Sequence, residues 1–333
     1  MHCLKHDASG LQPPTAEDPA RDQVRALQER ALWKMTTAKR CVVVTGASSG
    51  IGLGTVRVLV QAGYHVCGSV RRAADGERLC AEFCDDFTPL LFDVTDSAAV
   101  KKAADQVREL LGGHTLFGLV NNAGVAFHGP LMYQPISEFV RNIEINLTGT
   151  LIVTQAFLPL LGADRMLTGP PGRIIMVSSI AGKFAAPFIG AYAASKHGLE
   201  GMSASLRREL MLFGIDVIIV GPGAVVTPIW DKAESHDVSA YEGTPYYDAL
   251  SKFGKLMVDD GRSGHTPEHI GRGIQKALAV ARPAARYAIV ANRLAKWTLP
   301  LLLPPRWVDW LMANTLGLIY KKPSFQHQNG KTD

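Results

Sequence analysis

Between Cys41 and Val220 the chain alternates short apolar runs with longer stretches of helical spacing. The runs are Cys41–Thr45, Tyr64–Val70, Pro89–Val94, Leu116–Val120, Arg173–Val177 and Ile215–Val220. Between them lie helical patterns over Ile51–Ala62, Glu77–Cys84, Ala98–Leu111, Glu138–Leu161 and Ala191–Phe213. A strand buried on one face alternates apolar and polar side chains. These runs are apolar throughout, so both faces must be covered, and helices of ten or more residues between them supply the cover. The pattern predicts an α/β fold with a doubly wound parallel sheet in a single domain. A further helix is expected near Pro267–Ala281.

The first strand runs into Thr45-Gly46-Ala47-Ser48-Ser49-Gly50-Ile51-Gly52, which opens the first helix. Glycines let backbone approach a pyrophosphate, and a helix N-terminus offers free N–H groups and the positive end of its dipole. Strand, glycine turn and helix together predict nucleotide binding through Gly46, Ser48, Ser49, Gly50, Ile51 and Gly52. The second strand should end at the adenosine ribose. A carboxylate there would accept the ribose hydroxyls and repel a 2′-phosphate, but this chain has Ser69-Val70-Arg71-Arg72. Arg71 and Arg72 can instead hold a phosphate by charge-assisted contacts, so NADP(H) is favoured and NAD(H) is the alternative. Asp93-Val94, at the end of the third run, can reach the adenine amino group, or Asp93 can cap the next helix.

Tyr192-Ala193-Ala194-Ser195-Lys196 sets a phenol and an ammonium on one helix face. A neighbouring positive charge is expected to lower the tyrosine pKa, fitting Tyr192 to exchange a proton with a carbonyl or alcohol oxygen. Ser179, just after the fifth run, can hold that oxygen.

With these motifs in this order, the chain resembles the short-chain dehydrogenase/reductase family over roughly residues 38–290. The resemblance rests on Thr45–Gly52, Asp93, Asn121-Asn122-Ala123-Gly124, Asn146, Ser179, Tyr192, Lys196, and Pro222-Gly223 followed by Thr227. It implies a Rossmann fold and a catalytic set of Asn146, Ser179, Tyr192 and Lys196. Asn122, Ala123 and Gly124 would line the cofactor cleft, and Asn146 would hold a water linking Lys196 to solvent. Lys196 would also hold the nicotinamide ribose, while Pro222, Gly223, Val225 and Thr227 would bind the nicotinamide. A homo-oligomer, dimer or tetramer, paired through the long helices around 138–161 and 191–213, is implied as well. The cofactor supplies hydride and the protein supplies orientation and proton transfer.

Residues 229–265 are expected to form a helical substrate lid, with Trp230, Tyr241, Tyr246, Tyr247, Phe253 and Met257. These side chains either line a pocket for a hydrophobic carbonyl or alcohol, of steroid, retinoid or fatty type, or pack the lid onto the domain. A 3-oxoacyl-carrier reductase and a catalytically silent nucleotide-binding protein are the other readings.

The edges of the 333-residue chain differ from its body. Residues 1–37 form an extension, with Pro13, Pro14 and Pro19 before a short charged helix at 21–34, and Met35 can serve as an alternative start. No signal peptide is legible there. The net charge of +5 is unevenly placed: after residue 281 there are eight Lys/Arg against two Asp/Glu, so the body is near neutral. That distribution excludes a nucleic-acid groove, whose basic residues would line the folded body. The apolar and basic segment 291–333, broken by Pro300, Pro304 and Pro305, does not span a bilayer as one helix. It either closes the substrate end or rests peripherally on an anionic membrane. The uncharged run between Glu144 and Asp164 is long enough to span, but its Asn146, Thr148, Thr150, Thr154 and Gln155 fit a core helix better. The five cysteines form no C-x-x-C pair or metal-ligand cluster, which points to reduced thiols and a cytoplasmic protein without a metal.

Overall fold

The computed structural model describes residues 39–227 and 238–320. The expected extension 1–37, its helix and Met35, Trp230 of the lid, and the basic end after residue 320 lie outside the described residues.

The apolar runs form a seven-stranded, wholly parallel sheet of order β3-β2-β1-β4-β5-β6-β7. The strands are β1 (Cys41–Val44), β2 (His65–Val70), β3 (Phe87–Leu91), β4 (Gly118–Asn121), β5 (Arg173–Val177), β6 (Asp216–Pro222) and β7 (Arg286–Ile289). Period-two geometry splits each run between two cores. Val42 and Val44 join Val56, Leu59, Ile270 and Ile274 on one face. Cys41 and Val43 join Val100, Leu119, Val153 and Phe157 on the other. The first core is roofed by α1 (Gly50–Gln61), α2 (Ala73–Phe83) and α8 (Pro267–Ala279). The second is roofed by α3 (Ser97–Leu111), the α4 (Ile136–Ile143) to α5 (Gly149–Phe157) helix, and α6 (Gly190–Glu209).

Three local outcomes differ from the sequence pattern. The third strand begins at Phe87 and ends at Leu91, because Pro89 is tolerated only on a sheet edge and Asp93 turns the chain away. The helix over 138–161 is continuous from Ile136 to Leu161, but its middle, Glu144–Thr148, is a π turn closed by Gly149 N–H to the Glu144 carbonyl. By length and composition this helix could cross a membrane; here it lies against the sheet, with Val153 and Phe157 fully buried. The seventh strand is short and only half-buried, so it carries little apolar signal.

Beyond β6, α7 (Tyr247–Arg262) and α9 (Pro305–Leu316) build a third small core. Tyr241, Leu250, Phe253 and Leu316 pack there around Phe188. At these side chains the lid packs against the domain rather than lining a pocket.

Candidate active site

The chain runs outward from β1 through β3, then resumes at β4 on the other side of β1. Ligands of such sheets bind outside the strand ends at this reversal. The two strand ends there are stapled together. Thr45 Oγ accepts the N–H groups of Asn122 and Ala123, each at 2.9 Å. Asn122 Nδ2 donates to the carbonyls of Thr45 at 2.9 Å and Gly46 at 3.3 Å.

The glycine turn is held from β2 as well. Gly46 N–H donates to Ser69 Oγ at 2.9 Å, and Ala47 N–H to the Ser69 carbonyl at 3.0 Å. Gly46 and Gly50 have φ of +66° and +54°, a region side chains resist. At Gly52 a Cβ would lie 2.0 Å from the Gly46 carbonyl oxygen, so only glycine lets α1 start this close to the turn. Ser49 precedes α1 without using its side chain as a cap, and Thr227 Cγ2 lies beside Gly50. Ile51 packs at the margin of the core. The result is a glycine turn packed tightly against the start of a helix, and the residues present fit a nicotinamide dinucleotide.

At the end of β2, Arg72 pairs with Asp75 at 2.9 Å, whereas Arg71 is exposed and has no ion pair among the described residues. Arg78, which the sequence pattern did not single out, reaches back from α2 to the Ser48 carbonyl at 2.8 Å. Asp93 caps neither strand nor helix. Its carboxylate accepts the Thr95 N–H and hydroxyl at 3.0 and 2.8 Å, and the helix cap is Asp96. Val94 and Val225 are buried, one in each core. The Pro222–Thr227 loop is anchored by Gly223 N–H to the Ile289 carbonyl, and by paired bonds with His265.

Ser179, Tyr192, Lys196 and Asn146 converge at the ends of β4 and β5. Lys196 is 5% exposed, and its ammonium donates to the Val177 carbonyl at 2.9 Å, 5.8 Å from the Tyr192 ring centre. A Cβ on Gly124 would meet Asn146 Oδ1 at 3.0 Å and Lys196 Nζ at 3.7 Å, so this glycine clears the approach to both. Asn146 sits in the π turn, a feature that recurs at functional sites. Its side chain accepts the Val125 N–H and donates to the Val125 carbonyl, both at 2.8 Å. It also donates to Ser195 Oγ at 2.9 Å, and Ser195 in turn donates to the Tyr192 carbonyl at 2.7 Å. These three side-chain bonds fix Asn146 against Val125 and Ser195, and Thr150 Oγ donates to the Asn146 carbonyl at 2.9 Å.

The electrostatics correct one expectation. Burial pushes the Tyr192 phenol above its usual 10, and a hydrogen bond with Ser179 opposes that rise. Burial also draws the Lys196 ammonium down to about 8, with Glu200 pulling it back up. Desolvation therefore sets the direction of the Tyr192 shift, opposite to the expected lowering.

Residues 40–238 match the family described as short chain dehydrogenase. The chain belongs to the short-chain dehydrogenase/reductase family. It is 36% identical over 270 residues to an NADPH-dependent 3-dehydrocapnine reductase of Ornithobacterium rhinotracheale, covering 81% of this chain and 95% of that one. It is 38% identical over 281 residues to retinol dehydrogenase 5 of Mus musculus, covering 80% and 86%. A solved short-chain dehydrogenase from Streptomyces avermitilis superposes with a TM-score of 0.68 at 25% identity, covering 86% of this chain and all of that one. The family is one of NAD(P)-dependent carbonyl/alcohol oxidoreductases, and this member carries its fold and nucleotide-binding turn.

Proposed function

We propose that this protein is an NADP(H)-dependent reductase of a hydrophobic ketone or aldehyde, with Tyr192 as the proton donor. The observation that carries the reading is Tyr192 hydrogen-bonded with Ser179, one helical turn from a buried Lys196. Ser179 holds the substrate oxygen, Tyr192 protonates it as it gains charge, and Lys196 orients the nicotinamide ribose. Bound NADPH supplies the hydride. Gly46, Ser48, Ser49, Gly50, Ile51 and Gly52 cradle the pyrophosphate, and Asn122, Ala123 and Gly124 line the cleft. The backbone of Pro222–Thr227 faces the nicotinamide. Arg71 meets the 2′-phosphate, a preference consistent with the NADPH named for the Ornithobacterium relative. The retinol dehydrogenase relative supports an apolar substrate.

Purified protein is mixed with NADPH or NADH and with retinal, a steroid ketone and 2-decanone, and nicotinamide absorbance is followed. The wild type oxidises NADPH with at least one carbonyl, and Tyr192→Phe does not. Equal rates in the two proteins would remove Tyr192 from the chemistry.

The catalytic domain of this reading spans 38–290, with 229–265 as the lid, in a homo-oligomeric and cytoplasmic enzyme. The C-terminal segment rests peripherally on an anionic membrane. Leu302, Trp307 and Trp310 are 77%, 67% and 68% exposed, close in sequence to the basic excess. Indole rings and lysines of this kind favour the lipid interface. Full-length protein is expected to sediment with phosphatidylserine vesicles and not with phosphatidylcholine, and Trp307→Ser/Trp310→Ser to stay in solution. Equal partitioning of both proteins would leave the segment without a lipid role.

A further inference from the structure

Behind the proposed catalytic face lies a buried ion pair. Glu200 follows Lys196 by one turn of α6, and its side chain is 3% exposed. Arg286, the first residue of β7, points Nε at both carboxylate oxygens, each at 3.1 Å, with Nη2 3.0 Å from Oε1. The same Nη2 donates to the main-chain carbonyl of Ser179 at 3.2 Å. The indole of Trp297 covers the guanidinium at 4.2 Å. The backbone makes room for the pair: a Cβ on Gly221 would fall 2.4 Å from Arg286 Nη2, and one on Gly182 would fall 3.0 Å from Glu200 Cγ.

Two buried charges cost desolvation energy that apolar side chains of equal volume would avoid. An apolar pair could not, however, donate to the Ser179 carbonyl or place a carboxylate one helical turn from Lys196. We propose that Glu200 and Arg286 are positioning residues for the reaction: Arg286 fixes the Ser179 backbone, Glu200 holds Arg286 there and sets a carboxylate one helical turn from Lys196, and Trp297 couples the C-terminal segment to both. The charged groups facing Glu200 are Lys183 at 3.5 Å from the loop after β5, Arg286 from β7, and Lys196 on its own helix. Lys183 is half-exposed and screened by solvent, so Arg286 dominates. The proposal rests on the reductase reading for its effect on turnover, and on the assignment of Lys196 to the nicotinamide ribose for its effect on nucleotide binding.

The test uses the full-length protein, with NADPH as probe, titrated by nicotinamide fluorescence from about pH 6.5 to about pH 9.5. Wild-type affinity should fall as pH rises through about 8, where Lys196 loses its charge. In Glu200→Gln the midpoint should move about one pH unit lower, since the carboxylate that favours the ammonium is gone. Arg286→Lys keeps a cation for Glu200 but not the planar fork. It should leave the midpoint in place and lower kcat for 2-decanone about tenfold, with KM within about twofold. Trp297→Ala should lower kcat about threefold in the same sense. Should Glu200→Gln fail to fold, Glu200→Gln/Arg286→Met removes both charges and leaves no unpaired ion, and the midpoint is read on that protein. An unmoved midpoint in a folded Glu200 variant overturns the role of Glu200. Wild-type kcat in Arg286→Lys overturns that of Arg286, and in Trp297→Ala that of Trp297. If the wild type binds NADPH but reduces no carbonyl, the reductase reading fails while the midpoint still decides the case of Glu200.

Discussion

Replacing Lys196 by Met should stabilise the fold while ending turnover, and the size of the gain follows from the site. The ammonium is buried, and its pKa falls from 10.5 to about 8 on folding. Its folded pKa lies below its unfolded one, so between about 8 and 10.5 the unfolded chain binds more protons and stability rises with pH. Below that window the penalty is present in full, about 3 kcal/mol at pH 7. Met matches the length of the side chain but removes the donor to the Val177 carbonyl, a loss of about 1 kcal/mol. Lys196→Met should therefore be about 2 kcal/mol more stable than the wild type at pH 7. That advantage should vanish by about pH 9.5, because the wild type has by then recovered about 2 kcal/mol. Tyr192 does not disturb the comparison: its pKa is raised above 10, so it stays protonated across the range. Urea unfolding of both proteins at several pH values measures the difference directly. A variant less stable than the wild type at pH 7, or a difference independent of pH, would refute the account of Lys196 as a desolvated cation.

Three further outcomes concern the nucleotide cradle, each read by fluorescence titration. Arg71→Asp should weaken NADPH relative to NADH by more than about tenfold, and an unchanged ratio would remove Arg71 from 2′-phosphate recognition. Ser69→Ala leaves Gly46 N–H without its acceptor and should raise the NADPH Kd about tenfold; wild-type affinity would mean that the turn holds itself. Gly52→Ala places a methyl 2.0 Å from the Gly46 oxygen and should weaken NADPH by more than about a hundredfold while lowering Tm. Wild-type binding in that variant would show that α1 can withdraw from the turn.

Much of the fold is legible along the chain because parallel strands covered on both faces are apolar at every position, as in Val42-Val43-Val44 and Ile174-Ile175-Met176. β5 and α8 begin where the pattern places them. β7 escapes notice because an edge strand of four half-buried residues carries little apolar signal. The lid aromatics left two readings open, since an apolar side chain looks the same in sequence whether it lines a pocket or fills a core. Packing around Phe188 decides for Tyr241, Leu250 and Phe253.

The site divides along the same line. The glycine turn, Ser179, Tyr192 and Lys196 are readable from spacing, because a helix repeat and a strand end place neighbouring residues without help from the rest of the chain. Ser69, Arg78, Glu200 and Arg286 are not. Each acts on a partner supplied by a different element, and Glu200 and Arg286 are 86 residues apart. The direction of the Tyr192 shift belongs to this second group. Spacing puts a cation near the phenol, but how much water the surrounding elements exclude decides whether attraction or desolvation prevails. Sequence by itself therefore determined the class of sheet, the nucleotide turn and the candidate reacting groups, all set by local geometry. Only the tertiary structure decided the direction of their pKa shifts and their support, because burial and charge pairing depend on what the rest of the chain packs around them.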